Sequence, residues 1–153
     1  MHFEGQQTIN APIAKVYAFF TDPDSVASVT PGFQSMEVIS PTHFKPTVAV
    51  GVGAVKAKFV LDVTLEDLQP PNRVVAAARG NAAGSAAEVR GGMDLSEVSP
   101  TVTNLQYTAD VNVMGTLAAV GARLMEGTAA KMIVKFFDGV RQKLESPAAA
   151  PAS

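Results

Sequence analysis

The chain has no cysteine, no tryptophan and only two histidines among its 153 residues. Without cysteine there can be no disulfide, no thiolate metal site and no thiol nucleophile, which suits a reducing cytoplasm. His2 and His43 each fall beside a strand end with no acidic or hydroxyl partner pattern near them in sequence. No His-x-x-x-His pair, paired carboxylates or nucleophile elbow occurs, so metal-assisted hydrolysis and acyl transfer lack their residues. The expectation is a protein that is not an enzyme and holds no metal. A net charge of -2 and a pI near 5.6 give no positive field, which excludes nucleic acid as a partner. No apolar run of about twenty residues is available to cross a bilayer, and His2, Glu4, Gln6 and Gln7 interrupt the first segment where a signal peptide would need one. Aromatic residues are scarce too, at 7% against a hydrophobic fraction of 47%. Much of that fraction is alanine and valine, so either the core is thin or space is left inside it.

What is present is mostly strand. The length fits one domain. His2 to Ile9 alternates and reads as a first strand; Asn10 is placed to cap a helix with Pro12 in its first turn and Ile13, Val16, Tyr17 and Phe20 as its apolar stripe. Thr21-Asp22-Pro23-Asp24 breaks that helix and caps a second, Pro23 to Val29, which stops at Thr30-Pro31-Gly32. Six strands are then expected over Phe33 to Ile39, Phe44 to Gly53, Val55 to Leu68, Arg73 to Asn81, Ala86 to Val98 and Thr101 to Val113, parted by turn residues. From Gly115 to Glu145 the apolar positions Leu117, Val120, Leu124, Thr128, Met132, Phe136, Val140 and Leu144 recur at helical spacing, predicting a single helix roughly 45 Å long. The fold class is α+β: a seven-stranded curved antiparallel sheet wrapped around a long carboxy-terminal helix, with two short helices between strands 1 and 2.

Alternation assigns the faces. In the fourth strand Lys56, Lys58, Asp62, Thr64 and Glu66 point out while Val55, Ala57, Phe59, Leu61, Val63 and Leu65 point in. The same rule places Ala76, Ala78, Gly80, Ala87, Gly91 and Ala109 on the inner layer, opposite Gly121 and either Gly127 or Thr128 of the helix. Small residues face small residues, with Phe59, Leu61, Met93, Tyr107, Leu124, Met132 and Phe136 to hold the walls apart. Two arrangements remain open, a cavity or a sheet curled down onto the helix around a thin dry core. For the cavity, the expected lining is Phe20, Val50, Phe59, Leu61, Ala76, Ala78, Val89, Met93 and Tyr107, with Val120, Gly121, Leu124, Thr128, Met132 and Phe136 from the helix. A bulky replacement such as Gly121→Phe should then fill it.

Polar groups able to reach an apolar ligand are few: Tyr107, Tyr17 and Thr128, each able to donate a hydrogen bond to a carbonyl oxygen. A core tyrosine with its hydroxyl at the rim is an equally good reading of Tyr107. Gly51 and Gly53 end a strand and enter a hairpin, whereas a phosphate-binding glycine loop opens a helix. Gly115, Gly121, Gly127 and Gly139 each cost about 1 kcal/mol in a helix relative to alanine, which leaves close packing or room for a ligand as their reason.

Three segments carry a family resemblance: Thr21-Asp22-Pro23 followed by Thr30-Pro31-Gly32-Phe33-Gln34-Ser35-Met36-Glu37; Val48 to Phe59; and Gly121 to Ala129 with Phe136-Phe137. In order and spacing they resemble the carbon monoxide dehydrogenase CoxG family, within the START-like, helix-grip superfamily of polyketide cyclases and lipid-binding domains. The match runs from about residue 2 to 144. Many relatives carry a cysteine and an isoleucine before Pro-Gly, where this chain has Val29 and Thr30. The resemblance implies a helix-grip domain over residues 1–145 with an apolar cavity and no intrinsic cofactor. It implies partnership with molybdenum carbon monoxide dehydrogenase at the inner face of the cytoplasmic membrane, and menaquinone or another lipidic quinone as cavity ligand. Residues 146–153, Ser-Pro-Ala-Ala-Ala-Pro-Ala-Ser, read as a flexible linker, expected to lead to a carboxy-terminal segment that holds the membrane peripherally. An alternative implied by the same resemblance is a recruitment adaptor for the dehydrogenase whose cavity is incidental.

Overall fold

Long alternating strands joined by turns of two or three residues stack as hairpins, and the computed structural model, which describes residues 1–145, has that meander. The elements run β1 (His2–Ile9), α1 (Ile13–Phe20), α2 (Pro23–Val29), β2 (Phe33–Ser40), β3 (His43–Val52), β4 (Val55–Gln69), β5 (Arg73–Ala82), β6 (Ser85–Ser99), β7 (Val102–Gly115), a 3-10 turn (Thr116–Val120) and α3 (Ala122–Glu145). All strands form one antiparallel sheet in the order β1-β7-β6-β5-β4-β3-β2, so the first strand closes one edge and the second the other. The expected seven strands and two early helices are present, with bounds displaced by one or two residues. The expected tail, 146–153, lies outside the described residues.

The single helix expected from Gly115 to Glu145 is corrected. Gly115 (φ 88°) ends β7 and Gly121 (φ 103°) follows the 3-10 turn. Two left-handed residues six apart cannot lie within one right-handed helix. Leu117 is buried by that turn, and its N–H donates to Ser85 Oγ at 2.9 Å. The helix proper is 24 residues, about 36 Å. Asn10 is no cap either: Pro12, extended at ψ 145°, occupies the N-cap position of α1. The Asn10 N–H instead donates to Glu145 Oε2 at 2.8 Å, which ties the end of α3 to the end of β1.

Registers line the inner face up in rows across the sheet. One row is Leu65-Ala76-Gly91-Ala109-Phe3, and its neighbour is Val74-Met93-Tyr107-Gly5. Two separate buried clusters flank these rows. One gathers Ile9, Val16, Tyr17, Phe20, Val74, Leu105, Phe137 and Val140 near α1 and the end of α3. The other gathers Val52, Phe59, Ala87 and Leu117 near the hairpin tips. Thr103 secures the first, donating its hydroxyl to the Ala11 carbonyl at 2.8 Å in a fully buried site.

Candidate functional site: an apolar cavity between helix and sheet

Between the two clusters lies a cavity of about 400 Å³. Its floor is the row Ala76-Gly91-Ala109, whose side chains rise at most one carbon from the sheet; Leu61, Val63, Leu65, Met93 and Tyr107 surround it, and Met132, Ile133, Phe136 and Phe137 of α3 roof it. These inner-face residues of the central strands remain partly accessible to solvent although the helix lies over them. A helix seated on the floor would bury them, so the thin dry core is not the arrangement adopted here. Five of the aromatic side chains are gathered at one end. Phe19-Phe20, Phe20-Phe136, Phe136-Phe137 and Tyr107-Phe137 form a continuous run of ring contacts with centroids 5.6, 6.2, 5.3 and 4.9 Å apart.

Seven of the residues expected to line the cavity do so: Phe20, Leu61, Ala76, Met93, Tyr107, Met132 and Phe136. The other eight lie elsewhere. Val50 and Phe59 pack in the second cluster. Ala78 and Val89 occupy the next row of the sheet and border a groove on its outer face. Val120, Gly121, Leu124 and Thr128 line a shallow outer groove of about 340 Å³ together with Arg123 and Lys131. The cause is helical phase. Steps of four repeated from 136 back to 124 overshoot the 3.6-residue turn by about 40° each, so the stripe rotates out of the roof. Met125 takes the inward place, and Leu124 is exposed.

Sequence reasoning missed the cavity's open side. Pro23, Val26, Ala27 and Thr30 of the α2 segment face Pro31, Phe33, Met36 and Pro46 of the β2–β3 edge across it. The only local signal was the Thr30-Pro31-Gly32 break, which says that the chain turns and not where it turns to. Gly32 lies so close to the Ala49 carbonyl that a Cβ would overlap it, fixing how β2 leaves α2.

The lining contains no acidic or basic side chain. Its polar side chains are those of Thr30, Tyr107 and Thr108. Thr30 donates to the Val26 carbonyl at 2.7 Å, and Thr108 alternates to the outer face. Tyr107 Oη lies over Gly5 of β1, where a Cβ would come within 2.7 Å of it; a side chain there would displace the ring. Tyr17 does not line the cavity. It is buried in the first cluster with its hydroxyl unpartnered, and burial raises its pKa above the ordinary 10.0. Thr128, the third polar candidate, is in the outer groove.

A larger groove, about 790 Å³, opens on the outer face of the sheet but is walled by ion pairs, Arg90 with Glu66 at 2.7 Å and Arg79 with Glu88 at 3.6 Å. Wet, paired charges of that kind do not suit an apolar ligand. Among the described residues no group of three or more His, Asp or Glu could hold a metal ion, and no helix is long and apolar enough to cross a membrane.

A curved antiparallel sheet gripping one long helix over an apolar cavity is the START-like, helix-grip architecture. A START superfamily protein from Mycobacterium smegmatis superposes with a TM-score of 0.75 at 11% identity, over 94% of this chain and 97% of that one. Zhui aromatase/cyclase from Streptomyces sp. R1128 does so with a TM-score of 0.72 at 18% identity, over 100% and 98%. A conserved protein from Geobacillus kaustophilus reaches 0.87 at 25% identity over 95% of each chain. Within that architecture the chain belongs to the carbon monoxide dehydrogenase CoxG family, whose model matches residues 5–145. No curated protein matches it in sequence.

Proposed function

We propose that the domain is a non-catalytic accessory protein of molybdenum carbon monoxide dehydrogenase that holds a lipidic quinone, menaquinone or a close relative, in the cavity between α3 and the sheet. In this role it passes the enzyme's electrons to the respiratory chain at the inner face of the cytoplasmic membrane, where a carboxy-terminal extension holds it. Family membership supports the partner. The observation that carries the ligand class is the charge-free lining. A fatty acid or phospholipid entering head first would bring a charge into this lining with nothing to neutralise it, at a cost of several kcal/mol. A quinone is neutral, planar and apolar, and its carbonyl oxygens only accept hydrogen bonds. Tyr107 lines the cavity with its ring, and its hydroxyl, over Gly5 of β1, has no protein partner among the described residues and is the nearest donor for such an oxygen. The same lining offers no acid-base pair for cyclase chemistry, which favours carriage over turnover.

Mass spectrometry of lipid extracted from protein made in a menaquinone-producing host tests the reading. A co-purifying quinone is expected. Protein that arrives ligand-free and takes up no added menaquinone, or that carries a charged lipid in its place, overturns it.

A further inference from the structure

The cavity is too small for a whole respiratory quinone. At interior packing density about 400 Å³ accommodates on the order of twenty heavy atoms, a bicyclic head and one or two isoprenoid units. A long-chain quinone must therefore leave most of its tail outside, and the fold leaves one side for it. Phe136, Phe137 and Tyr107 close one end of the space and the second cluster, with Phe59 and Leu117, closes the other. The sheet is the floor and α3 the roof. Of the two flanks, the β1 side contributes no residue to the lining, and the space extends instead into the slot between α2 and the β2–β3 edge, where Phe33, Met36 and Pro46 are all partly exposed. β2 is an edge strand, so no further strand covers this lip. Two residues past Met36, Val38 is 50% exposed and pairs with Phe44, a lining residue, so the apolar track continues out of the mouth along the strand.

Resting on the quinone reading above, we infer that only the head and first isoprenoid units are enclosed, and that the remaining chain leaves between α2 and the β2–β3 edge, across Met36 and Pro46. The tail is then bare enough to stay in, or return to, a bilayer while the head is held by the protein.

A chain-length series tests this on the unaltered protein. Binding of naphthoquinones with zero, one, two, four and nine isoprenoid units is measured by native mass spectrometry under competition. Affinity should rise about tenfold per unit up to roughly two units and then level off. A rise that continues through four and nine units overturns the inference and leaves the quinone reading standing; rejection of every long chain, or failure of every member, the bare head included, overturns both. Two variants locate the exit. Met36→Asp should weaken the nine-unit quinone about tenfold and the bare head by a clearly smaller factor, whereas Leu124→Asp at the outer groove should change neither. Equal losses for both ligands in Met36→Asp, or a selective loss in Leu124→Asp, place the exit elsewhere.

Discussion

Gly91→Leu should make the ligand-free protein more stable and a poorer binder at once. Gly91 is at the centre of the cavity floor, and a Cβ there would meet only the Thr108 carbonyl oxygen, at the ordinary distance of 3.5 Å. Its inward direction is open, unlike that of Gly80, which faces Leu61 and the Val60 carbonyl closely. A leucine side chain would occupy about 100 Å³ of the roughly 400 Å³ available. Burying it is worth about 1.5–3 kcal/mol, and the lower part of that range applies because the mouth is open to water. Replacing glycine in a strand adds about 0.5–1 kcal/mol through the unfolded chain, a part that Gly91→Ala measures by itself. Gly91→Leu should therefore exceed Gly91→Ala by about 1–2 kcal/mol in urea unfolding, a few degrees in Tm for a chain of this length. Quinone uptake should fall at least tenfold, because the side chain takes up the floor on which the ring would lie. Ala76→Leu, opposite Gly91 in the register, should behave likewise. A leucine variant no more stable than the alanine one, or uptake unchanged by either leucine, would show that the floor does not face a cavity and would refute the reasoning.

Two helical glycines should respond in opposite directions. Gly127 has nothing within 4 Å of where a Cβ would sit, so Gly127→Ala should stabilise the protein by about 1 kcal/mol; at Gly139 a Cβ would lie 3.0 Å from Val29 of α2, and Gly139→Ala should destabilise it by about 1–3 kcal/mol in the same denaturant assay, loss at Gly127 or gain at Gly139 counting against the helix placement. His2 should titrate above its ordinary 6.5, chiefly because its ring hydrogen-bonds Asp110 at 2.7 Å and secondarily through the carboxylate charges of Asp110 and Glu4, against desolvation and the amino terminus. A raised folded-state pKa contributes stability fully present below the unfolded value and lost as pH rises through the folded one. The ring-proton NMR midpoint should drop in Asp110→Asn, and a midpoint that stays put would refute the pairing.

Strand existence and facing were legible because alternation is local. Lys56, Lys58, Asp62 and Thr64 are exposed in β4, as their period of two requires, and the small inner layer was visible for the same reason. Helical phase was not. Leu124, Thr128, Met132 and Phe136 form an acceptable stripe on paper, yet α3 starts only after Gly121, and the face it buries is set by Met125, Ile133, Phe137 and Val140, which touch partners far away in sequence. Gly121 illustrates the cost of that error. It faces open space at φ 103°, so the expected Gly121→Phe would strain the backbone without entering the cavity. The lip formed by α2 and the β2–β3 edge was hidden because α2 packs by a non-local contact, Val29 against Gly139, that no periodicity encodes.

The same small residues that make the space also weaken the protein that holds it. Ala76, Gly91 and Ala109 stand in one row of three central strands, where side chains of ordinary size would join the two buried clusters into one core. Without them the clusters are coupled only through the sheet and through α3, which the Asn10–Glu145 bond anchors at its far end. On the reading proposed above, a ring seated on that row and under Met132 and Phe136 would supply the missing contacts, so ligand binding and tertiary cohesion would draw on the same apolar surface. Ligand at a hundred times its Kd should then add about 2.7 kcal/mol to unfolding. The aromatic run from Phe19 to Tyr107 stands at one end of that space. On the quinone reading, a charge-free slot suits a flat neutral ring, and the open lip leaves the length of the chain that ring carries unconstrained.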